Sequence, residues 1–271
     1  MNKSGLGGWA FSMFLGVLFY FLAVPMSAAQ IPFQQTFSAE IPVMTRLSVG
    51  IERMQGRNMG DLEQEGTLWT LPRVQVNVPL GSRGEFIASQ DVVRSLTERE
   101  KAYTSGGDPY FFTKLRLFDQ QRYIPATAFM YGVLEPAANP PLGADTLGFY
   151  AYLVLTQQQE PWRVDLNFGT GIFEDHARSR QTDVVIMNAA LWYRPNGRWQ
   201  LGGEYHYQER VEGRWFDFTQ GVNSPLRRRN LAAMALYGDK WKGFFRVSRG
   251  LVAQSEDWSV ATGVQFQWPE K

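Results

Sequence analysis

The sequence predicts an all-β chain: a transmembrane, antiparallel, up-and-down β-barrel of about 12 strands, preceded by a cleavable signal peptide. Three observations carry this expectation. Apolar residues recur with period two in segments of about ten residues, the length that crosses a bilayer when tilted. The connections between those segments alternate short and long. Tyrosine and tryptophan gather at the segment ends, in two bands.

The chain opens on its one long apolar run, Trp9 to Val24. Lys3 precedes it, Pro25 breaks it, and Ser27-Ala28-Ala29 follows as a small-residue cleavage site. A basic start, an apolar middle and a small-x-small end describe a secretory signal peptide. An uncleaved anchor is the rival, but Pro25 and the small residues beyond it favour cleavage near Ala29. Residues 1–29 are then the signal peptide, 30–43 a periplasmic N-terminal segment and 44–268 the barrel.

The plainest strand is Trp162 to Phe168, where Trp162, Val164, Leu166 and Phe168 alternate with Arg163, Asp165 and Asn167. Trp199, Leu201, Gly203, Tyr205 and Tyr207 repeat the pattern against Gln200, Glu204, His206 and Gln208. Read throughout in this way, the strands fall near 44–55, 67–79, 83–93, 109–118, 123–134, 146–157, 162–173, 183–194, 198–210, 229–238, 241–250 and 257–268. Two of them, 146–157 and 183–194, carry apolar residues on both faces.

The short connections are Leu80 to Ser82, Asp119 to Arg122, Gln158 to Pro161, Pro195 to Gly197 and Asp239-Lys240. The long ones are Gly56 to Gly66, Arg94 to Asp108, Glu135 to Asp145, Glu174 to Thr182 and Val211 to Arg228. Outer-membrane barrels have short periplasmic turns and long outer loops. A soluble sandwich has no reason to sort its loops by parity. With the short turns periplasmic, Tyr123, Trp162, Trp192, Tyr193, Trp199, Trp241 and Trp268 form an aromatic girdle at one interface. Trp69, Tyr110, Tyr207 and Trp258 fall towards the other. The last strand, Val264 to Trp268, alternates and ends on an aromatic like the signal read by barrel-assembly machinery, although Pro269-Glu-Lys271 follows it.

Composition narrows the function. Lys and Arg number 27 against 26 Asp and Glu, a net charge of +1, so a nucleic-acid partner is not expected. Hydrophobic content, at 44%, is too ordinary for a helical membrane protein. The chain has no cysteine, which rules out thiolate zinc sites, iron–sulfur clusters, cysteine nucleophiles and a lipoprotein anchor. No metal-ligand spacing or phosphate-cradling glycine loop is present, so no metal or cofactor is expected.

Residues opposite the lipid face line the lumen: Lys114, Arg116, Arg163, Asp165, Glu204, His206, Lys242 and Arg246, with Arg46, Glu52, Arg73, Glu85 and Asp91. They fit either a polar filter for small solutes or a self-neutralising network that holds the wall. No catalytic residue is expected. His176 lies in an outer loop, His206 on the lumen face, and no serine signature accompanies either. A lipid-modifying enzyme and a closed structural barrel stay open as alternatives to a channel. Arg227-Arg-Arg229 fits a solvated charge run, or contacts with lipopolysaccharide phosphates.

Gly107-Asp-Pro-Tyr-Phe-Phe-Thr-Lys-Leu-Arg-Leu117, Pro125-Ala-Thr-Ala128, Leu147-Gly148 and Val164-Asp-Leu-Asn-Phe-Gly169 together resemble a bacterial family. It is the family of outer-membrane transporters of the phenol-degradation meta-pathway. Its members share a Gly-Asp turn entering a strand with a basic residue, a Pro-containing strand pair and an Asn-Gly-bearing strand. The likeness runs over about residues 70 to 270. Many relatives carry Pro-Thr-Gly where this chain has Glu135-Pro136-Ala137-Ala138. The resemblance implies an outer-membrane barrel for uptake of aromatic or hydrophobic compounds, and it carries over no ligand residues.

Overall fold

The computed structural model describes residues 36–56, 66–98, 101–139, 142–143, 147–175, 180–211, 228–252 and 255–268. The expected signal peptide, His176 and Arg227 lie outside the described residues. Fourteen strands follow one another: β1 (Thr45–Gly56), β2 (Gly66–Leu80), β3 (Gly84–Asp91), β4 (Arg94–Glu98), β5 (Lys101–Ser105), β6 (Tyr110–Phe118), β7 (Ala126–Leu134), β8 (Gly148–Gln159), β9 (Trp162–Asp175), β10 (Arg180–Tyr193), β11 (Trp199–Val211), β12 (Arg228–Gly238), β13 (Trp241–Gly250) and β14 (Trp258–Trp268). All pairings are antiparallel between sequence neighbours from β6 to β14, and β1 pairs with both β14 and β2, which closes the cylinder. Closure removes the free edges that a bilayer cannot tolerate.

The cylinder has 12 staves, because β3 with β4 and β5 with β6 each make one broken stave. Along β2, Arg73 faces Asp91 and Thr70 faces Arg94, so β4 takes up where β3 stops. This corrects the expectation of a long loop from Arg94 to Asp108: that stretch is the β4–β5 hairpin. Five-residue strands in which Leu96 stands among charges carry too little apolar alternation to be read.

In β9 the alternation is laid bare. Arg163, Asp165 and Asn167 are buried while Phe168 is 46% exposed. Outward-facing Phe129, Tyr131, Phe149, Leu153, Leu201, Leu231, Phe245 and Val264 continue this apolar surface around the barrel. Apolar side chains outside and charged ones inside invert a soluble core, and only hydrocarbon makes that arrangement favourable.

Candidate functional site: the barrel lumen

The periplasmic end of the lumen is a ring of paired charges. Lys114 is fully buried, pairs with Glu85, and Glu85 also accepts from Asn77 Nδ2 at 2.8 Å. Arg163 binds Asp165 at 2.9 Å, and Asp165 accepts from Thr156 Oγ1 at 2.7 Å and from Trp192 Nε1 at 2.9 Å. Lys242 faces inward, half-buried, near the same end. Above the ring, one wall is polar. Arg73 lies 3.1 Å from Glu52 and 2.5 Å from Asp91, while Arg246 lies 3.4 Å from Glu204 and 3.8 Å from Glu52. His206 Nδ1 sits 2.6 Å from Asn188 Oδ1. Buried charges cost several kcal/mol each unless paired, and these lumen carboxylates meet arginine or lysine.

The facing wall, on β6 to β8, is aromatic. Tyr110 and Phe112 of β6 stack with centroids 6.4 Å apart, and Tyr150 and Tyr152 of β8 at 6.3 Å. Between them β7 presents Ala126, Ala128, Met130 and Gly132, with Leu134 opposite Tyr110 at the outer end. A Cβ on Gly132 would meet Phe112 Cδ1 at 2.3 Å, and one on Gly169 would meet Tyr152 Cδ1 at 2.2 Å. Small residues therefore make room for the rings.

Residues 36–41, part of the segment expected in the periplasm, run inside the lumen. An extended segment inside a barrel needs partners for its backbone, and the wall supplies them. Asn167 stands in for a peptide group, accepting from Phe37 N at 2.5 Å and donating to Phe37 O at 2.8 Å. Thr36 N donates to Glu204 at 2.5 Å, and Ala39 N to Thr156 Oγ1 at 2.8 Å. Lys114 Nζ donates to the carbonyls of Ser38 and Glu40, both at 2.8 Å, and Arg116 pairs with Glu40 at 3.2 Å. The Phe37 ring leans on Phe112 at 5.8 Å and Tyr152 at 5.9 Å.

At the outer end, Gly107-Asp108 acquires a role. Asp108 Oδ1 accepts from the backbone N–H of Ala137 at 2.8 Å and Ala138 at 2.7 Å, tying down the following loop. Leu142 from that loop is buried against Leu68 and Leu96, and Arg94 donates to its carbonyl.

On the girdle, Trp162 meets Tyr193 at 4.6 Å, Trp199 meets Tyr237 at 4.7 Å, and Trp241 and Trp268 flank Phe266 at 4.3 and 4.4 Å. Tyr123 is 74% exposed in the turn before β7. Trp192 is a correction: it points inward, 1% exposed, onto Asp165. Adjacent strand residues face opposite ways, so Trp192 and Tyr193 cannot both meet lipid. Gly202 opposite leaves the space, since a Cβ there would lie 2.1 Å from Trp192 Cε3. Tyr110 likewise turns into the lumen instead of joining the outer band. Sequence reasoning missed Thr36 to Glu40 and the ring cluster. The doubled apolar faces of β8 and β10 were the signal available for the rings.

Comparison with known proteins follows the same lines. The family described as "Putative MetA-pathway of phenol degradation" matches residues 70–268, most of the barrel. The chain belongs to this family. Among solved structures, the COG4313 outer membrane channel from Pseudomonas putida F1 superposes with a TM-score of 0.62 at 11% identity, covering 89% of this chain and 100% of that one. The KdgM porin, in complex with disordered oligogalacturonate, gives 0.55 at 10% identity, covering 82% and 99%. The NanC porin gives 0.52 at 12% identity, covering 82% and 100%. At these identities the likeness is one of fold. No curated protein matches by sequence. The family member described here is a bacterial outer-membrane β-barrel.

Proposed function

We propose that this family member is a passive uptake channel for small aromatic or hydrophobic molecules, which pass along the aromatic wall of the lumen. The observation that carries it is the lumen's division into two walls. Tyr110, Phe112, Tyr150 and Tyr152 line one side, an apolar face on which an aromatic or hydrophobic solute can pack. Phe37 occupies that cluster in the present conformation, as a tethered ring would. The paired charges support a second view, a closed structural barrel, because they and residues 36–41 fill the periplasmic end. His206 engages Asn188 inside the lumen, and we assign it no catalytic role. Export by residues 1–29, insertion by barrel-assembly machinery and contact with lipopolysaccharide belong to the same proposal.

Reconstituted into liposomes, the protein should admit phenol and benzyl alcohol faster than sugars of equal size. Replacing Tyr152 and Phe112 by serine should erase that preference while leaving the barrel folded. No flux of either class would favour the closed barrel and sink the proposal; equal flux of both would make it an ordinary water-filled pore.

A further inference from the structure

The outward face of six contiguous strands, β2, β1, β14, β13, β12 and β11, is asymmetric across the membrane. At the periplasmic end the strands show Trp268, Trp241, Tyr237 and Trp199 outward and no charge, the exposed Arg198 pairing with Asp239 in the turns beyond them. From Trp268 to Trp258 is ten residues of β14. That is about 33 Å along the strand, or about 25 Å of membrane at the usual tilt, the height of a barrel's apolar band. At that height, and not below it, arginines appear outside: Arg53 on β1, Arg249 on β13 and Arg229 on β12.

These arginines are interleaved with aromatics. The Arg53 guanidinium lies between two indoles, 5.4 Å from the Trp69 ring and 5.0 Å from that of Trp258. Its Nε is buried without a hydrogen-bond acceptor, and no carboxylate reaches it among the described residues. Arg229 lies over Tyr207 at 5.0 Å and reaches Glu209 at 3.3 Å. Arg249 borders an open depression with Gly250, Asp257 and Trp258. On the opposite half of the barrel, the outward residues at this height are Phe111, Val133, Phe149, Ile172 and Asp183, with no arginine among the described ones.

A cation at headgroup depth without a protein counter-charge requires an anion or water. Guanidinium forks select phosphate by paired N–H donors. Arg53 and Arg249 stand two strands apart, about 10 Å, within reach of one head group. Phosphates carried on an outer-leaflet glycolipid would meet this face at one leaflet only, which is the asymmetry observed. We propose that Arg53 and Arg249, with Trp69 and Trp258, form a binding site for the phosphates of lipopolysaccharide's lipid A. The site rests on the outer-membrane placement and is independent of what the lumen carries. Indoles beside Arg53 hold the guanidinium flat against the wall, and Glu209 and Asp257 confine the anion to the span between Arg249 and Arg53.

The test uses the folded full chain in micelles, presented with diphosphoryl lipid A or with the same lipid dephosphorylated, and scored by native mass spectrometry. At about fivefold per arginine, the wild type should prefer the diphosphoryl form by about 25-fold. Arg53→Gln should lose about fivefold, Arg53→Lys should retain part of it, and the double variant R53Q/R249Q should lose the preference. Heat-modifiable mobility in electrophoresis reports folding; if the double variant fails it, the wild-type preference and the Arg53 variants decide. Equal retention of both lipids by the wild type, or an undiminished preference in folded variants, overturns the site. Solute flux should be the same in wild type and variants, so a failure here leaves the uptake proposal standing, and the reverse.

Discussion

Lys114 holds residues 36–41 in place together with Asn167, Thr156, Glu204 and Arg116, and its removal should loosen them. Its ammonium is fully buried and donates to two carbonyls of the segment, Ser38 and Glu40, at 2.8 Å each. A hydrogen bond from a charged donor contributes about 1.5–3 kcal/mol net, so the two together contribute about 3 kcal/mol at the low end. Loss of that much shifts the docked-to-released ratio by about 150-fold. Lys114→Met alone would also break the ion pair of buried Glu85, leaving it Asn77 and the charge of Arg46; breaking a buried pair by removing one partner costs about 3–5 kcal/mol. The informative variant is therefore Lys114→Met with Glu85→Gln, which removes both members of the pair together. The chain has no cysteine, so Ser38→Cys introduces the sole thiol. In the parent background that thiol, 1% exposed as serine, should resist a methanethiosulfonate reagent. In the double variant it should react about a hundredfold faster. Labelling within about threefold of the parent, in a folded double variant, would show that the lysine does not anchor the segment.

Three other outcomes are expected. Gly202→Ala should destabilise the barrel by about 1–3 kcal/mol in urea unfolding because its Cβ would lie 2.1 Å from the Trp192 ring, whereas Gly203→Ala, whose nearest neighbour is 3.7 Å away, should be tolerated. Trp192→Phe should cost about 1–3 kcal/mol, since Asp165 loses the indole N–H at 2.9 Å, while Trp162→Phe on the outer girdle should cost less than about 1 kcal/mol. Asp108→Ala orphans the N–H groups of Ala137 and Ala138 and should make the 135–139 loop sensitive to limited proteolysis with the strands intact.

The barrel was legible because its code is local. A period-two segment such as Trp162 to Phe168 states which side meets lipid, and the observed β9 begins at Trp162 as expected. Turn chemistry at Pro195-Asn-Gly197 and Asp239-Lys240 likewise placed the strands that follow, β11 from Trp199 and β13 from Trp241. What stayed hidden depends on partners far away. Nothing in Phe37-Ser38-Ala39 announces that Asn167 and Thr156 will receive its backbone, 130 and 117 residues on. Trp192 looked like a girdle residue because neighbouring Tyr193 is one, and only the register with Arg163 shows which of the two turns inward. The β4–β5 hairpin escaped because its pairing with Thr67 to Thr70 of β2 is made by backbone, with few apolar side chains to mark it.

The sequence separation of these anchors also dictates an order of events. Thr36 bonds to Glu204 across 168 positions, so the head of the described chain cannot find its last partner until β11 exists. Until then its amides must stay hydrated. Cylinder first and occupant second is the sequence this imposes, and long-range closure of that kind is slow. A chain shortened past Ala39 would thus still complete its staves, with water standing on Asn167, Thr156 and Lys114 where backbone had been.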